Sequence, residues 1–187
     1  NHIEKQVAEQ AATMAELVNE KMQAEITNLE VVSDYLQSDA GNLQVIMEMA
    51  QKEDSEAAWG ILDIERHAVY GKEVKSIDYS GIQKSFRGNN AVSYKEGEGL
   101  LFTVPVYNNG NIKYVLYKFI DEALLYDKFG VQCYGGKGRA LVADREGRII
   151  VPSGYRQDET PFWQDPETEA VFSIISEKMN IASSAAN

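Results

Sequence analysis

The sequence is short of the residues from which disulfide scaffolds and many catalytic or metal sites are built. Its 187 residues include one cysteine, Cys133, and two histidines, His2 and His67. One cysteine cannot form an intramolecular disulfide, which excludes a disulfide scaffold, and the two histidines have no zinc-binding spacing. No nucleophile–base motif, phosphate-binding loop or metal-ligand pattern occurs either. We therefore predict that the chain is not an enzyme and holds no cofactor or metal.

Basic side chains and long apolar runs are also scarce. There are 18 Lys and Arg against 29 Asp and Glu, which gives a formal net charge of −11. Such a chain lacks the basic surface through which proteins bind nucleic acids or anionic membranes. No run of about 18 apolar residues predicts a transmembrane helix. The hydrophobic content of 44% is ordinary for a globular protein, so we expect one domain, or one domain and part of a second.

Residues 3 to about 38 are predicted to form one long helix. Apolar side chains recur at three- and four-residue steps from Ile3 to Leu36, and no Pro or Gly occurs before Gly41. Such a helix would be roughly 54 Å long, which exceeds the width of a domain of this size. Two interpretations are open: a coiled-coil stalk or dimer seam, or a helix packed on a sheet along its whole length. We favour a mixture in which the N-terminal part is the stalk.

Short elements are predicted between this helix and residue 99. Asn42 is a suitable cap for a helix over 43–51. The further predicted elements are a helix over 56–66, a weak strand pair over 67–74, a short helix over 80–88 and a strand over 91–96.

The strongest local signal is a β-hairpin between Gly99 and Asp121. Asn109-Gly110 favours a tight turn, because both central residues of that turn need positive φ. A two-residue loop places Asn108 opposite Asn111. Neither face of the hairpin is polar, so we expect it to be covered on both sides.

Regular alternation from this turn places Phe102 opposite Tyr117, on the face that ends at Asp121. Pro105 has no N–H to donate, so a bulge or an unpaired edge is expected there. Asp121 is either the N-cap of a helix over 122–129 or a contact to a cationic ligand, and both roles can hold together.

The C-terminal quarter begins at the glycine-rich segment Gly135-Gly136-Lys137-Gly138. We interpret this segment as a hinge and a candidate domain boundary. A second hairpin follows, with strands over 140–143 and 148–151, and then a mainly helical stretch over 161–180.

Together, the segments SIDYSGIQKSFRGNNAVSY, LLFTVPVYNNGNIKYVLYKFID and GRALVADREGRIIVPSG resemble the Cache family of extracytoplasmic sensor domains, which have a PAS-like fold. The resemblance covers roughly residues 1 to 155. It implies an α+β fold in which a long N-terminal helix packs on a PAS-like antiparallel sheet, with a second smaller or incomplete module at the C-terminus. We expect the long helix and the next short helix in 1–52, the membrane-distal sensor module in 53–134 and the partial second module in 135–187.

The resemblance also implies a ligand pocket between the sheet and the segment that precedes its third strand. Carried over by position, its residues come from two sides: Tyr79, Phe86 and Arg87 from the segment, and Ser93, Phe102, Tyr117 and Asp121 from the sheet. Asp121 matches the acidic residue that holds the ammonium group in members that bind amines and amino acids. The arginine followed by an aromatic pair, which amino-acid-binding members carry upstream, is absent here.

The function implied by the resemblance is small-molecule sensing outside the cytoplasm, as part of a bacterial histidine kinase, diguanylate cyclase or chemoreceptor. We expect a small ligand, an amine or an amino acid, a homodimer through the N-terminal helix, and membrane attachment only through flanking segments absent from this chain. Two alternatives stay open: a ligand-free dimerisation module, and a cytoplasmic PAS- or GAF-like domain that binds a cofactor.

Overall fold

The computed structural model describes residues 2–75, 79–95, 97–129, 141–143 and 149–152. In chain order the elements are α1 (His2–Ser38), a 3-10 turn (Ala40–Asn42), α2 (Leu43–Glu53), β1 (Ala58–Asp63), β2 (Ala68–Tyr70), α3 (Ser80–Phe86), β3 (Ala91–Lys95), β4 (Gly99–Asn108), β5 (Asn111–Asp121), α4 (Glu122–Phe129), β6 (Leu141–Ala143) and β7 (Ile149–Pro152). A long N-terminal helix and an antiparallel sheet confirm the predicted α+β class. The predicted hinge at 135–138 and the helix over 161–180 lie outside the described residues.

Five strands form one sheet in the order β2-β1-β5-β4-β3, and all neighbouring pairs are antiparallel. β6 and β7 form a separate antiparallel pair, which confirms the second predicted hairpin. Residues 20–125 make one compact unit that holds the five-stranded sheet, while residues 1–19 and 126–187 are grouped as another. The predicted domain boundaries after residues 52 and 134 stay predictions. Within the described ranges, no helix has the length and hydrophobicity needed to span a lipid bilayer.

The predicted helix over 56–66 is wrong, because this segment forms the strand β1. Its middle residues, Trp59 to Leu62, are all buried, since β1 lies inside the sheet and both of its faces are covered. A buried strand of this kind has no alternation of polar and apolar side chains, so its pattern does not differ from that of a buried helix. The strand pair predicted over 67–74 is reduced to β2, which pairs with β1.

The β4–β5 hairpin has the predicted turn but a different register beyond it. Asn109 and Gly110 have φ values of 51° and 79°, and Asn108 faces Asn111 as expected. The register then shifts by one residue between Tyr107 and Val106, next to Pro105, where a bulge was expected. Because side chains alternate strictly along a strand, one extra residue moves every later side chain of β5 to the other face.

The predicted pairing of Phe102 with Tyr117 is therefore wrong. Tyr117 pairs with Thr103, and Phe102 pairs with Lys118. The sheet consequently has two faces of different composition. We call them the α3 face, on which α3 packs, and the α1 face, to which Phe102 and Lys118 belong.

Hydrogen bonds place one helix on each face of the sheet. On the α1 face, Ser33 Oγ donates to the Pro105 carbonyl at 3.0 Å, and buried side chains of α1 follow at helical spacing: Ile26, Leu29, Ser33 and Leu36. On the α3 face, the Gly81 N–H donates to Ser93 Oγ at 2.9 Å. The hairpin is thus covered on both sides, as its two apolar faces predicted.

Candidate functional site

A small network of hydroxyl groups attaches α3 to the sheet. Ser85 Oγ, which is buried, lies 2.7 Å from Thr103 Oγ1 and 2.8 Å from the Asn89 carbonyl oxygen. Thr103 Oγ1 donates to the Gly81 carbonyl at 3.1 Å. A Cβ atom on Gly81 would lie 2.4 Å from Ser93 Oγ, so only glycine allows this close approach. Buried polar groups of the α3 face are therefore bonded to one another.

Aromatic side chains surround this network. A buried cluster on the α3 face contains Leu62, Tyr79, Ile82, Leu101 and Tyr117, and Phe86 and Phe119 pack against it. The rings of Tyr79 and Phe119 meet edge to face, with centroids 6.3 Å apart.

The hydroxyl of Tyr117 is held by the backbone of Lys72. It donates to the Lys72 carbonyl at 2.6 Å and accepts from the Lys72 N–H at 3.1 Å. Burial raises the pKa of Tyr117 above its usual value, and the backbone hydrogen bond to Lys72 lowers it in part. Tyr117 is therefore a neutral, fixed side chain at ordinary pH.

Charged groups gather at the end of the α3 face that is farther from the hairpin turn. Glu98 accepts a hydrogen bond from the Tyr79 hydroxyl at 2.9 Å and pairs with the Lys95 ammonium at 2.6 Å. The hydrogen bond with Lys95, followed by that with Tyr79, lowers the pKa of Glu98. Tyr79 thus joins the start of α3 to the β3–β4 turn.

Asp121 lies in the same row of the sheet as Lys95, with Gly99 between them. Its Oδ1 accepts a hydrogen bond from the Ala123 N–H at 2.9 Å, which confirms the predicted role as N-cap of α4. Asp121 is exposed. Its contact to a cationic ligand stays a prediction.

The structure brings together four of the seven residues predicted for the ligand pocket: Tyr79, Phe86, Ser93 and Tyr117. Asp121 lies at one end of the same face. Arg87 is exposed and follows the end of α3. A Cβ atom on the next residue, Gly88, would lie 3.1 Å from the Tyr107 hydroxyl, so Arg87 is near the hairpin turn. Asp121, at the opposite end of the hairpin, is separated from that position by about 26 Å of strand. Phe102 is fully buried on the α1 face, which corrects its predicted place in the pocket.

A second polar cluster, on the α1 face, was not predicted from the sequence. Lys118 is 2% exposed, and its ammonium pairs with the carboxylates of Glu25 and Asp54. The ammonium also lies 5.0 Å from the centre of the Trp59 ring. A cavity of about 340 Å³ adjoins these side chains. The signal in the sequence was a lone lysine inside the apolar run YVLYKFI.

The acidic and histidine side chains of the described residues do not assemble into a metal site, because no group of three or more ligating side chains is found among them.

Comparison with known proteins places this fold among receptor sensor domains. The ligand-binding domain of the Pseudomonas fluorescens chemoreceptor CtaA, solved with L-serine, matches with a TM-score of 0.65 and 13% identity, over 84% of this chain and 73% of that one. The ligand-binding domain of the Pseudomonas aeruginosa chemoreceptor PctB, solved with L-Arg, matches with a TM-score of 0.64 and 15% identity, over 85% and 74%. The extracellular domain of rpHK1S-Z16, assigned to the histidine kinases, matches with a TM-score of 0.63 and 10% identity, over 89% and 78%.

No protein-family model and no curated protein sequence matches the chain. The similarity therefore lies in the three-dimensional structure. The fold expected from the resemblance to Cache domains is confirmed: this chain has the fold of the sensory and ligand-binding domains of chemoreceptors.

Proposed function

We propose that this chain is the extracytoplasmic small-molecule sensing domain of a bacterial signal-transduction receptor: a histidine kinase, a diguanylate cyclase or a chemoreceptor. We also propose that it has no catalytic activity and passes ligand occupancy to a cytoplasmic output domain. The observation that carries the proposal is the fold, because the matched structures are sensory domains and the matches include most of this chain. Fold alone does not determine function, so the proposal also needs a site.

The proposed ligand site is the α3 face between residues 79–94 and the β4–β5 hairpin. Tyr79 supports this location, because its side chain spans from the start of α3 to Phe119 and to Glu98. A small molecule that enters here would replace contacts of this one side chain. Such a replacement would move α3 relative to β5.

The proposed ligand carries an ammonium group and is an amine or an amino acid. The carboxylates of Asp121 and Glu98 lie at this end of the α3 face, and Glu98 pairs with the ammonium of Lys95. The exposed negative charge of Asp121 favours a cation. The comparison structures of CtaA and PctB, which hold L-serine and L-Arg, support the same ligand class.

We further propose that the receptor is a homodimer that associates through α1. Leu17, Ala24 and Val31 follow one another at seven-residue intervals and are exposed, and Tyr35, four residues later, is 61% exposed. Apolar residues at seven-residue intervals occupy one of the two core positions of the heptad with which two helices pair, and Tyr35 occupies the other. A ligand would then change the receptor's output only through its different affinities for two arrangements of this dimer.

A thermal-shift screen of this chain against L-amino acids and primary amines tests the proposal. A compound at a hundred times its Kd should stabilise the protein by about 2.7 kcal/mol, which corresponds to a rise in Tm of roughly 5–11 °C for a chain of this length. Asp121→Asn is the informative variant, because asparagine keeps the helix cap and removes the charge. We expect Asp121→Asn to abolish the rise, whereas Asp127→Asn, an exposed carboxylate on α4, leaves it unchanged.

One observation favours a second candidate, a dimerisation module without a ligand. Polar groups of the α3 face already form hydrogen bonds within the protein. The Gly81 N–H donates to Ser93 Oγ, and the Tyr117 hydroxyl donates to the Lys72 carbonyl. A dimer in light scattering, together with a Tm that no compound raises, would select this candidate over the sensor.

A further inference from the structure

The buried lysine of β5 connects three elements of the compact unit 20–125. Lys118 lies on the α1 face, and its ammonium pairs with Glu25 of α1 and with Asp54, the residue after α2. We call these three side chains the Lys118 cluster. The Lys118 side chain is 3% exposed, and its ammonium must keep its carboxylate partners, because an unpaired charge in the interior is strongly disfavoured. The cluster therefore fixes β5, α1 and the end of α2 relative to one another.

The sequence of α1 makes this attachment specific for one register. The side chains one helical turn away from Glu25 on the same side are Lys21 and Leu29. A slip of α1 by one turn in one direction would bring the positive Lys21 toward Lys118. A slip in the other direction would place Leu29 there and leave the ammonium without a carboxylate from α1. A single buried polar contact is known to select register between helices in this way.

Two neutral contacts also hold α1 on the sheet, and both go to β4. Ser33 Oγ donates to the Pro105 carbonyl at 3.0 Å, and the Tyr107 N–H donates to Gln37 Oε1 at 2.9 Å. Both use backbone groups of the strand. Backbone carbonyls and N–H groups repeat along a strand, so such contacts select register less strictly than a charged side chain does.

Lys118 also lies on the side of β5 that is opposite to the proposed ligand site. Its neighbours in the chain, Tyr117 and Phe119, point to the opposite face, where they contact Lys72 and Tyr79. Because adjacent residues of a strand move together, a displacement of β5 at Tyr117 displaces Lys118 as well.

We propose that Lys118 is a positioning residue that fixes the register of α1 on the sheet and carries movement of β5 to that helix. Its use in signalling rests on the proposed function. The register itself needs no ligand, so it is tested separately.

The experiment measures the distance between α1 and the sheet by pulsed electron paramagnetic resonance. Spin labels are attached at Val92→Cys on β3 and at Glu20→Cys or Glu30→Cys on α1, in a Cys133→Ser background; all three label positions are exposed. The test variant is Lys118→Met/Glu25→Gln/Asp54→Asn, which removes every charge of the cluster, so that no charged side chain is left without a partner. Replacing all members of a buried ion cluster by uncharged side chains often costs no stability, so we expect the variant to fold.

The matched control is Lys113→Met/Asp34→Asn/Glu48→Gln. It removes the same charges from exposed positions of β5, α1 and α2. Glu25→Gln alone is the second variant. It leaves Lys118 paired with Asp54 and decides the question if the triple variant does not fold.

We expect one narrow distance distribution in the wild type and in the control. In the triple variant and in Glu25→Gln it should broaden or gain a second population, displaced by up to about 5.4 Å, the rise of one helical turn. Distributions that superimpose on the wild type would overturn the proposal, even if the Tm of the variants changes. That result would leave the ligand screen, and with it the proposed function, untouched.

Discussion

Replacing Gly60 by alanine is predicted to disrupt the centre of the sheet. Gly60 pairs with Tyr117 across β1 and β5, and the Tyr117 ring lies over it. A Cβ atom at Gly60 would lie 2.2 Å from the ring carbon Cζ and 2.3 Å from the hydroxyl oxygen. The tyrosine ring is 2% exposed and closely packed, so it has to leave its position.

The expected loss of stability has two parts. Forcing an extra methyl group into a packed core costs about 1–3 kcal/mol. The two hydrogen bonds between the Tyr117 hydroxyl and the Lys72 backbone contribute about 1 kcal/mol each, and both are broken when the ring moves. The Gly60→Ala variant should therefore lose about 3–5 kcal/mol of unfolding free energy. The backbone itself is no obstacle, because Gly60 is not among the residues with positive φ.

Urea unfolding followed by Trp59 fluorescence in a Trp163→Phe background measures this loss. In a Tyr117→Leu background, which lacks the ring atoms that the new Cβ would meet, Gly60→Ala should cost less than about 1 kcal/mol. Gly41→Ala is the control, since the nearest atom to its Cβ lies 4.0 Å away. A loss below about 1 kcal/mol for Gly60→Ala in the native background, or an equal loss in both backgrounds, would contradict the predicted clash between the new Cβ atom and the Tyr117 ring.

Two further predictions concern charged groups. The double variant Glu25→Ala/Asp54→Ala leaves the buried Lys118 ammonium without its carboxylates and should lose about 3–5 kcal/mol in urea unfolding, whereas a loss no larger than that of Asp34→Ala/Glu48→Ala would contradict the cluster's role. The pKa of Glu98 is lowered by Lys95 and Tyr79, so its ionised form stabilises the fold above pH 4.5, and this contribution disappears as the pH falls below 4.5 through the lowered pKa. Carboxyl NMR titration should find that Lys95→Met raises the Glu98 midpoint, and an unchanged midpoint would show that Lys95 is not the cause.

Local turn and cap chemistry predicted a large part of the fold. Asn109-Gly110 identified the hairpin, and Asp121 identified the start of α4. The long helix was also predicted, because one apolar stripe continues through it without interruption. These features depend on residues close together in the chain.

The errors arose where distant residues decide the structure. β1 was predicted to be helical, because a strand buried on both faces lacks the alternation of polar and apolar side chains that identifies a strand. The bulge beside Pro105 was expected, but its effect on the register was not carried forward, so Phe102 was placed on the wrong face. The Lys118 cluster joins residues 93 positions apart, which no local pattern reveals.

Part of the proposed ligand site could be predicted and part could not. Tyr79, Ser93 and Tyr117, which the resemblance to Cache domains assigned to the pocket, lie on the α3 face. The hydroxyl network of Ser85 and Thr103 was missed, because isolated serine and threonine residues are common in strands and helices alike. Its importance comes from the close approach of α3, which the sequence shows only through Gly81.

The most direct test of the sensor proposal is amide chemical-shift mapping of the labelled chain during titration with L-amino acids and primary amines. We expect at least one compound to shift the resonances of residues 79–94 and of Thr103, Tyr117 and Phe119 on the α3 face, with saturable binding. No saturable shift with any compound, or shifts confined to residues outside that face, would contradict the proposed ligand site.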